Sequence, residues 1–383
     1  MANGVNRRSL FQLAGAAALL RSRLAGAEQP QSPAQQPPAA PRRSSGLGGN
    51  PEGFPVPDRR STVAIAHGDE RRKNVYTALK SIDQELQAKM QGKKYVVIKP
   101  NFVNTTNQLA ASHADAMRGI LDYLSESFKG PVVIAESSAG NTKDGFANFK
   151  YSALTSEYRR QQLKLIDLNG EARFERVTLL DKDLHIVPCR IAARLVDPEA
   201  FVISSAVLKT HNTVIASLSI KNMVLGAPLH SAPGEPFWSE KRKFHVGLRQ
   251  THYNMMVTAQ RLNWGASLID GYEGMEGNGP NSGTPVASRI ALASVDYVAA
   301  DRVAAETMGI DPEWLGYVKY CGDLGLGQFD ASKIDVIGAK VADVKKSYRM
   351  HPDIDRELQW RGPLTEVPFN LGWVRPMGNI RNG

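Results

Sequence analysis

The run Tyr95-Val96-Val97-Ile98-Lys99-Pro100-Asn101 decides the fold. Its first four residues favour a strand and show no polar alternation, so the strand they predict has both faces covered. Pro100 has no N–H to give to a sheet ladder and ends the run. Working outward, residues 131–135 and 200–204 have the same character, and residues 62–66, 164–168, 267–270, 290–294 and 334–337 read as further strands. Residues 71–90 carry Val75, Leu79, Ile82 and Leu86 at helical spacing, and residues 114–128 carry Met117, Ile120, Leu121 and Leu124. Residues 151–162, 246–262 and 298–308 read as more helices. Strands without alternation, separated by helices, predict an α/β fold: a largely parallel, Rossmann-like sheet flanked by helices. No internal repeat suggests a solenoid.

In such sheets ligands bind beyond the carboxyl ends of the strands. The polar residues cluster there. The quoted strand exits into Lys99 and Asn101, and the next into Glu136-Ser137-Ser138-Ala139-Gly140-Asn141. Another leads to Leu208-Lys209-Thr210-His211, followed by Lys221-Asn222-Met223. A fourth ends in Asp270-Gly271-Tyr272-Glu273-Gly274-Met275-Glu276-Gly277-Asn278-Gly279-Pro280. Lysines suit a carboxylate or phosphate, because an ammonium is a compact charge with three donors. Lys209, His211, Lys221 and Asp270 are the candidate catalytic residues, with His211 suited to proton transfer near neutral pH. Lys99, Asn101, Asn222, Gly277, Asn278 and Gly279 are the candidate substrate-binding residues, the glycines because they let backbone N–H groups approach a ligand. Glu136, His211, Asp270 and Glu276 are the candidate ligands of a divalent metal ion. His113, His230, His245 and His252 are candidate partners for His211. No dinucleotide fingerprint, phosphate-binding lysine loop or serine nucleophile elbow is present.

The stretch Leu208-Lys209-Thr210-His211 with Ser219-Ile220-Lys221-Asn222-Met223 and Gly226 resembles the family called domain of unknown function 362. So do Lys99-Pro100-Asn101, the run from Asp270 to Gly283, and Gly325-Leu326-Gly327 followed by Ile334-Asp335-Val336-Ile337-Gly338. The resemblance covers roughly residues 94–340 in order. It implies the fold and a pocket, and no particular reaction. Many members carry an appended ferredoxin-like module. This chain has only Cys189 and Cys321, so it holds no iron–sulfur cluster ligated by four of its own cysteines.

The net charge of +9 lies mostly outside the expected body. Residues 1–60 hold eight arginines against three acids, which is +5 of it. Residues 1–27 have the parts of an export leader: Asn6-Arg7-Arg8-Ser9, a weakly apolar stretch over 10–20, and Ala25-Gly26-Ala27 as a cleavage site. The leader resembles a twin-arginine (Tat) signal. That resemblance implies the Tat translocase as a partner, export to the periplasm in a folded state, and often a cofactor acquired beforehand. Cleavage would leave no membrane span. Residues 28–60, rich in Pro, Gln, Ser and Gly, are expected to form a disordered linker. Residues 61–345 are the expected α/β domain and 346–383 a C-terminal extension. Because the basic excess is a targeting feature, no nucleic-acid partner is expected. Trp238, Phe237 and Phe244 among Lys241, Arg242 and Lys243 are read as a flap, broken by Pro233, Gly234 and Pro236. The functional expectation is an exported, metal- or cofactor-dependent enzyme acting on a small anion. A non-catalytic periplasmic protein that binds a small molecule or metal is the alternative.

Overall fold

The computed structural model describes residues 58–231 and 238–362. The leader, nearly all of the linker, the tip of the flap and the end of the C-terminal extension lie outside the described residues. Twelve strands are present among them: β1 (Ser61–His67), β2 (Tyr95–Lys99), β3 (Val132–Glu136), β4 (Lys164–Asp167), β5 (Phe174–Leu180), β6 (Ile186–Ala192), β7 (Ala200–His211), β8 (Ile215–Ser217), β9 (Ala266–Glu276), β10 (Thr284–Val286), β11 (Ile290–Ser294) and β12 (Ile334–Gly338). The main sheet runs β12-β1-β11-β9-β7-β2-β3-β4, with β8 paired to β7 and β10 to β9. Along this order only β11 runs against its neighbours. The carboxyl ends of β1, β2, β3, β4, β7, β9 and β12 therefore share one edge. β5 and β6 form a separate hairpin.

The opening run behaves as its composition requires. Val96 and Ile98 pack into one core with helices Arg71–Ser81 and Ala114–Ser127. Val97 faces the other core, with helices Leu248–Arg261, Tyr297–Thr307 and Gly316–Asp323. A strand apolar on both faces is stable only between two such layers.

Two expected strands are much longer than expected. The strand at 200–204 extends to His211, and the one at 267–270 extends to Glu276. Each acquires a hairpin partner beyond the edge of the sheet, β8 for β7 and β10 for β9. Polar side chains on these extensions obscured strand character in the sequence, because β-propensity is a preference for packed surroundings. The helix expected over 71–90 is two helices, Arg71–Ser81 and Asp83–Met90, broken at Ile82. The β5–β6 hairpin was not foreseen. Residues 346–362, set apart as an extension in the sequence, pack back on the body: Tyr348 N–H donates to Met308 O at 2.9 Å, and Gly277 N–H to Arg349 O at 2.7 Å.

Candidate functional site

The ends of β2, β3 and β7 and the helix Ser219–Gly226 bring Lys99, Asn101, Glu136, Lys209, Lys221 and Asn222 into one buried cluster, every member at most 7% exposed. Asp301 fixes the helix: its two carboxylate oxygens accept from Ser219 N–H at 2.8 Å and Ile220 N–H at 2.9 Å. Those are orphan donors of a helix first turn. Lys221 and Asn222 follow directly. Asn222 Nδ2 donates to Lys99 O and Ser204 Oγ, both at 3.1 Å, and its Oδ1 accepts from Asn101 Nδ2 at 3.2 Å. Gly226 closes the same helix. A Cβ there would collide with Lys99 Cε and Nζ, so only glycine lets the Lys99 side chain cross beneath it.

Charge in this cluster is lopsided. Lys99 Nζ meets Glu136 Oε1 at 2.7 Å and also donates to Pro100 O at 2.6 Å. Glu136 is fully engaged, since it also accepts from Phe102 N–H at 2.9 Å and Ser137 N–H at 2.7 Å. Lys209 Nζ donates to Asn101 Oδ1 and to Ala110 O, neutral acceptors both. Lys241 enters from the turn Glu240–Phe244 and donates to Leu225 O and Pro228 O at 2.8 Å and to Ser137 Oγ at 3.2 Å. Lys221 is 5% exposed, and no acceptor meets its Nζ among the described residues.

Burial penalises each ammonium. It brings Lys221 down to about 8 and Lys241 to about 7. Lys209 falls well below its ordinary value, first through burial and then through the neighbouring Lys221 charge. Lys99 is lowered by burial, opposed by Glu136.

His211, at the end of β7, accepts Thr213 N–H on Nδ1 at 3.0 Å, which leaves Nε2 as the protonated nitrogen of the neutral ring. Burial and the Lys221 charge hold it well below the usual histidine range. His245 and His351 are close enough to act on it electrostatically. Of the four partners expected from sequence, His245 is thus the one in its surroundings. His252 instead is buried against Tyr317 and Trp360. His113 lies near Arg71, Asp115 and Asp270, and the backbone N–H of His230 donates to Asn169 Oδ1.

The expected metal ligands are not brought together. Asp270 is 2% exposed and faces Arg71, whose Nε lies 3.1 Å from its Oδ2, while its Oδ1 accepts from Tyr272 N–H. Glu276 ties down the C-terminal segment by accepting from Arg349 N–H at 2.9 Å. Glu136 belongs to Lys99. With each acid committed to a cation or to backbone N–H groups, Glu136, His211, Asp270 and Glu276 do not fit a single divalent ion. Among the described residues, donor atoms converge at Asp181, Asp183 and His185, at the tip of the β5–β6 hairpin, where Asp183 and His185 are exposed and make no enclosed site.

The glycine-rich loop is also placed differently from expectation. Gly277 has φ +72°, a left-handed backbone. Thr210 Oγ1 donates to Gly277 O at 3.0 Å, and a Cβ on Gly279 would strike Thr210 O. Asn278 Oδ1 pairs with His351 Nε2 at 2.9 Å. Gly277, Asn278 and Gly279 thus dock against Thr210 of β7 and the C-terminal segment.

The sequence reading missed Lys241, Ser204 and Asp301. Lys241 was assigned to a flap; nothing in its local sequence shows that its side chain turns inward.

A family profile described as Domain of unknown function (DUF362) matches residues 96–306, and the chain belongs to that family. No curated protein sequence matches. Among solved structures, the crystal structure of a Thermotoga maritima protein from the Northeast Structural Genomics Consortium is similar at 8% identity with a TM-score of 0.31, over 68% of this chain and 60% of that one. The chain thus spans under two thirds of that relative's length. No helix among the described residues is long and apolar enough to cross a membrane.

Proposed function

We propose that this chain is an exported enzyme that binds a small anion at the lysine cluster and acts on it through amine and imidazole groups. One observation carries the reading: Lys221, 5% exposed, has no acceptor at its Nζ among the described residues, beside Lys209 and Lys241, whose contacts are neutral oxygens. A buried charge without a partner is costly, and an anionic ligand supplies the missing partner. Lys209, Lys221 and Lys241 would hold the anion, Asn101 and Asn222 would fix the lysines, and His211 Nε2 would exchange protons with the ligand. The acids expected to hold metal are engaged elsewhere, so the reading assigns the chemistry to lysines.

Export rests on Arg7, Arg8 and the apolar stretch that follows them. Fractionation of cells expressing an Arg7→Lys/Arg8→Lys variant should show loss of export; unchanged export would remove the Tat assignment.

The site itself is tested by thermal shift against phosphate, sulfate, lactate and malate. At least one anion should raise the melting temperature of the wild type, and Lys221→Met should abolish that response. Native mass spectrometry of protein from its own compartment separates an enzyme from a binding protein. An unmodified metabolite held tightly, with no turnover, would favour the latter.

A further inference from the structure

Three of the four clustered lysines have acceptors. Lys99 is ion-paired with Glu136, Lys209 donates to two oxygens and Lys241 to three. An amine whose protons are already held by acceptors is not free to approach a ligand. Among the described residues Lys221 alone of the four lacks them, and it sits in the first turn of a helix whose backbone is fixed by Asp301. Burial, which disfavours the ammonium form, is one condition under which a lysine becomes a nucleophile. Lys209 and Lys241, in the same cluster, are point charges of the kind that suit a carboxylate. A molecule that uses both features carries a carboxylate next to a ketone or aldehyde.

We propose that Lys221 is a nucleophilic amine that forms an imine with a 2-oxo acid, whose carboxylate is held by Lys209 and Lys241. This rests on the anion site proposed above and names its substrate class. Nζ of the neutral amine attacks the carbonyl carbon, so the C–N bond forms as the C=O π pair moves to oxygen. That oxygen takes up a proton, and the nitrogen loses one of its own. The resulting hydroxyl leaves as water with one further proton as the nitrogen lone pair closes to C=N⁺. One net proton is taken up, from water or from an ammonium of the cluster, and no oxidant or reductant is needed. His211, close enough to Lys221 for their charges to interact, would pass these protons. The free amine fraction of Lys221 grows as pH approaches about 8.

The test is reductive trapping. Purified full-length protein is incubated with glyoxylate, pyruvate or 2-oxoglutarate and sodium cyanoborohydride, then weighed intact and peptide-mapped. The expected result is one stoichiometric adduct on Lys221. In Lys221→Arg, which has no nucleophilic amine, the adduct should fall to background. Absence of an adduct from all three oxo acids, in protein that still responds to lactate or phosphate, would overturn the imine and leave the anion site standing. An adduct that persists in Lys221→Arg, or that maps to exposed lysines, would overturn it as well. Loss of every anion response in the wild type would instead strike the underlying reading.

Discussion

Replacing Glu136 by Gln removes the carboxylate that contacts the lysine cluster. In the wild type Lys99 Nζ and Glu136 Oε1 are 2.7 Å apart, and both side chains are at most 2% exposed. At an effective dielectric of about 20 their attraction is roughly 6 kcal/mol. Deprotonation limits the loss: neutralising an orphaned lysine with an ordinary value near 10.5 at pH 7 costs about 5 kcal/mol. Breaking a buried pair by removing one partner typically costs about 3–5 kcal/mol, so the two arguments agree. Glu136→Gln should therefore lower the unfolding free energy by about 3–5 kcal/mol at pH 7, read as a lower urea midpoint with an unchanged slope. Part of the loss should return as pH is raised toward 10, because the cost of neutralising Lys99 shrinks as pH nears the ordinary lysine value. A Lys99→Met/Glu136→Gln double variant should recover most of it, with a coupling of at least about 2 kcal/mol. A single variant within about 0.5 kcal/mol of wild type, or strictly additive substitutions, would refute the claim that these charges depend on each other.

Three further outcomes follow from the same contacts. Burial raises Asp301 and Glu357 to about 8 from ordinary values of 3.8 and 4.5. The folded chain then holds more protons than the unfolded one between about pH 4 and 8, and stability should fall as pH rises through that window. Asp301→Asn should flatten the fall, and a melting temperature unchanged from pH 5 to 8 in the wild type would contradict the assignment. Gly226→Ala drives a methyl into Lys99 Cε and Nζ, so it should destabilise the chain and abolish its thermal response to anions. A normal anion response in that variant would show that Lys99 does not need its present path. Deleting residues 346–383 removes the contacts of Arg349 and His351 with Glu276, Gly277 and Asn278. Hydrogen exchange should accelerate at amides of residues 277–283 while β2 stays protected, and equal exchange in both proteins would mean that the loop holds itself.

The layers of the fold were legible because each depends on local pattern. Tyr95–Lys99 is apolar on successive residues, and only a doubly covered strand tolerates that. The clustering of Lys99, Asn101 and Lys209 was legible for a related reason: they lie at or near the exits of parallel strands, which share one edge, while Lys221 and Asn222 follow on the next helix. Pairing was not legible. Asp270 and Glu276 are close in sequence, yet Arg71 captures one and the Arg349 backbone the other. Both partners come from distant segments, and sequence spacing carries no record of them. The antiparallel β11 was hidden likewise, because residues 290–294 have the same apolar character in either direction.

Hydrogen-bond satisfaction and charge compensation are separate conditions, and the cluster meets the first far better than the second. Asn101, Ala110, Leu225, Pro228 and Ser137 provide acceptors for Lys209 and Lys241, but every one of those acceptors is neutral. Lys221 has neither acceptor nor counter-charge among the described residues. If these lysines served stability alone, methionine or leucine of similar volume would serve it at least as well, since buried ions are often neutral or worse than apolar replacements. Lys99 with Glu136 is a closed pair and needs no ligand. The excess resides in Lys209, Lys221 and Lys241, each with its protonation weakened by burial. Such a set can relax in two ways: by shedding protons or by taking an anion. The first makes an amine nucleophile and the second makes a carboxylate site. A ligand that both binds as an anion and reacts as a carbonyl uses the two together.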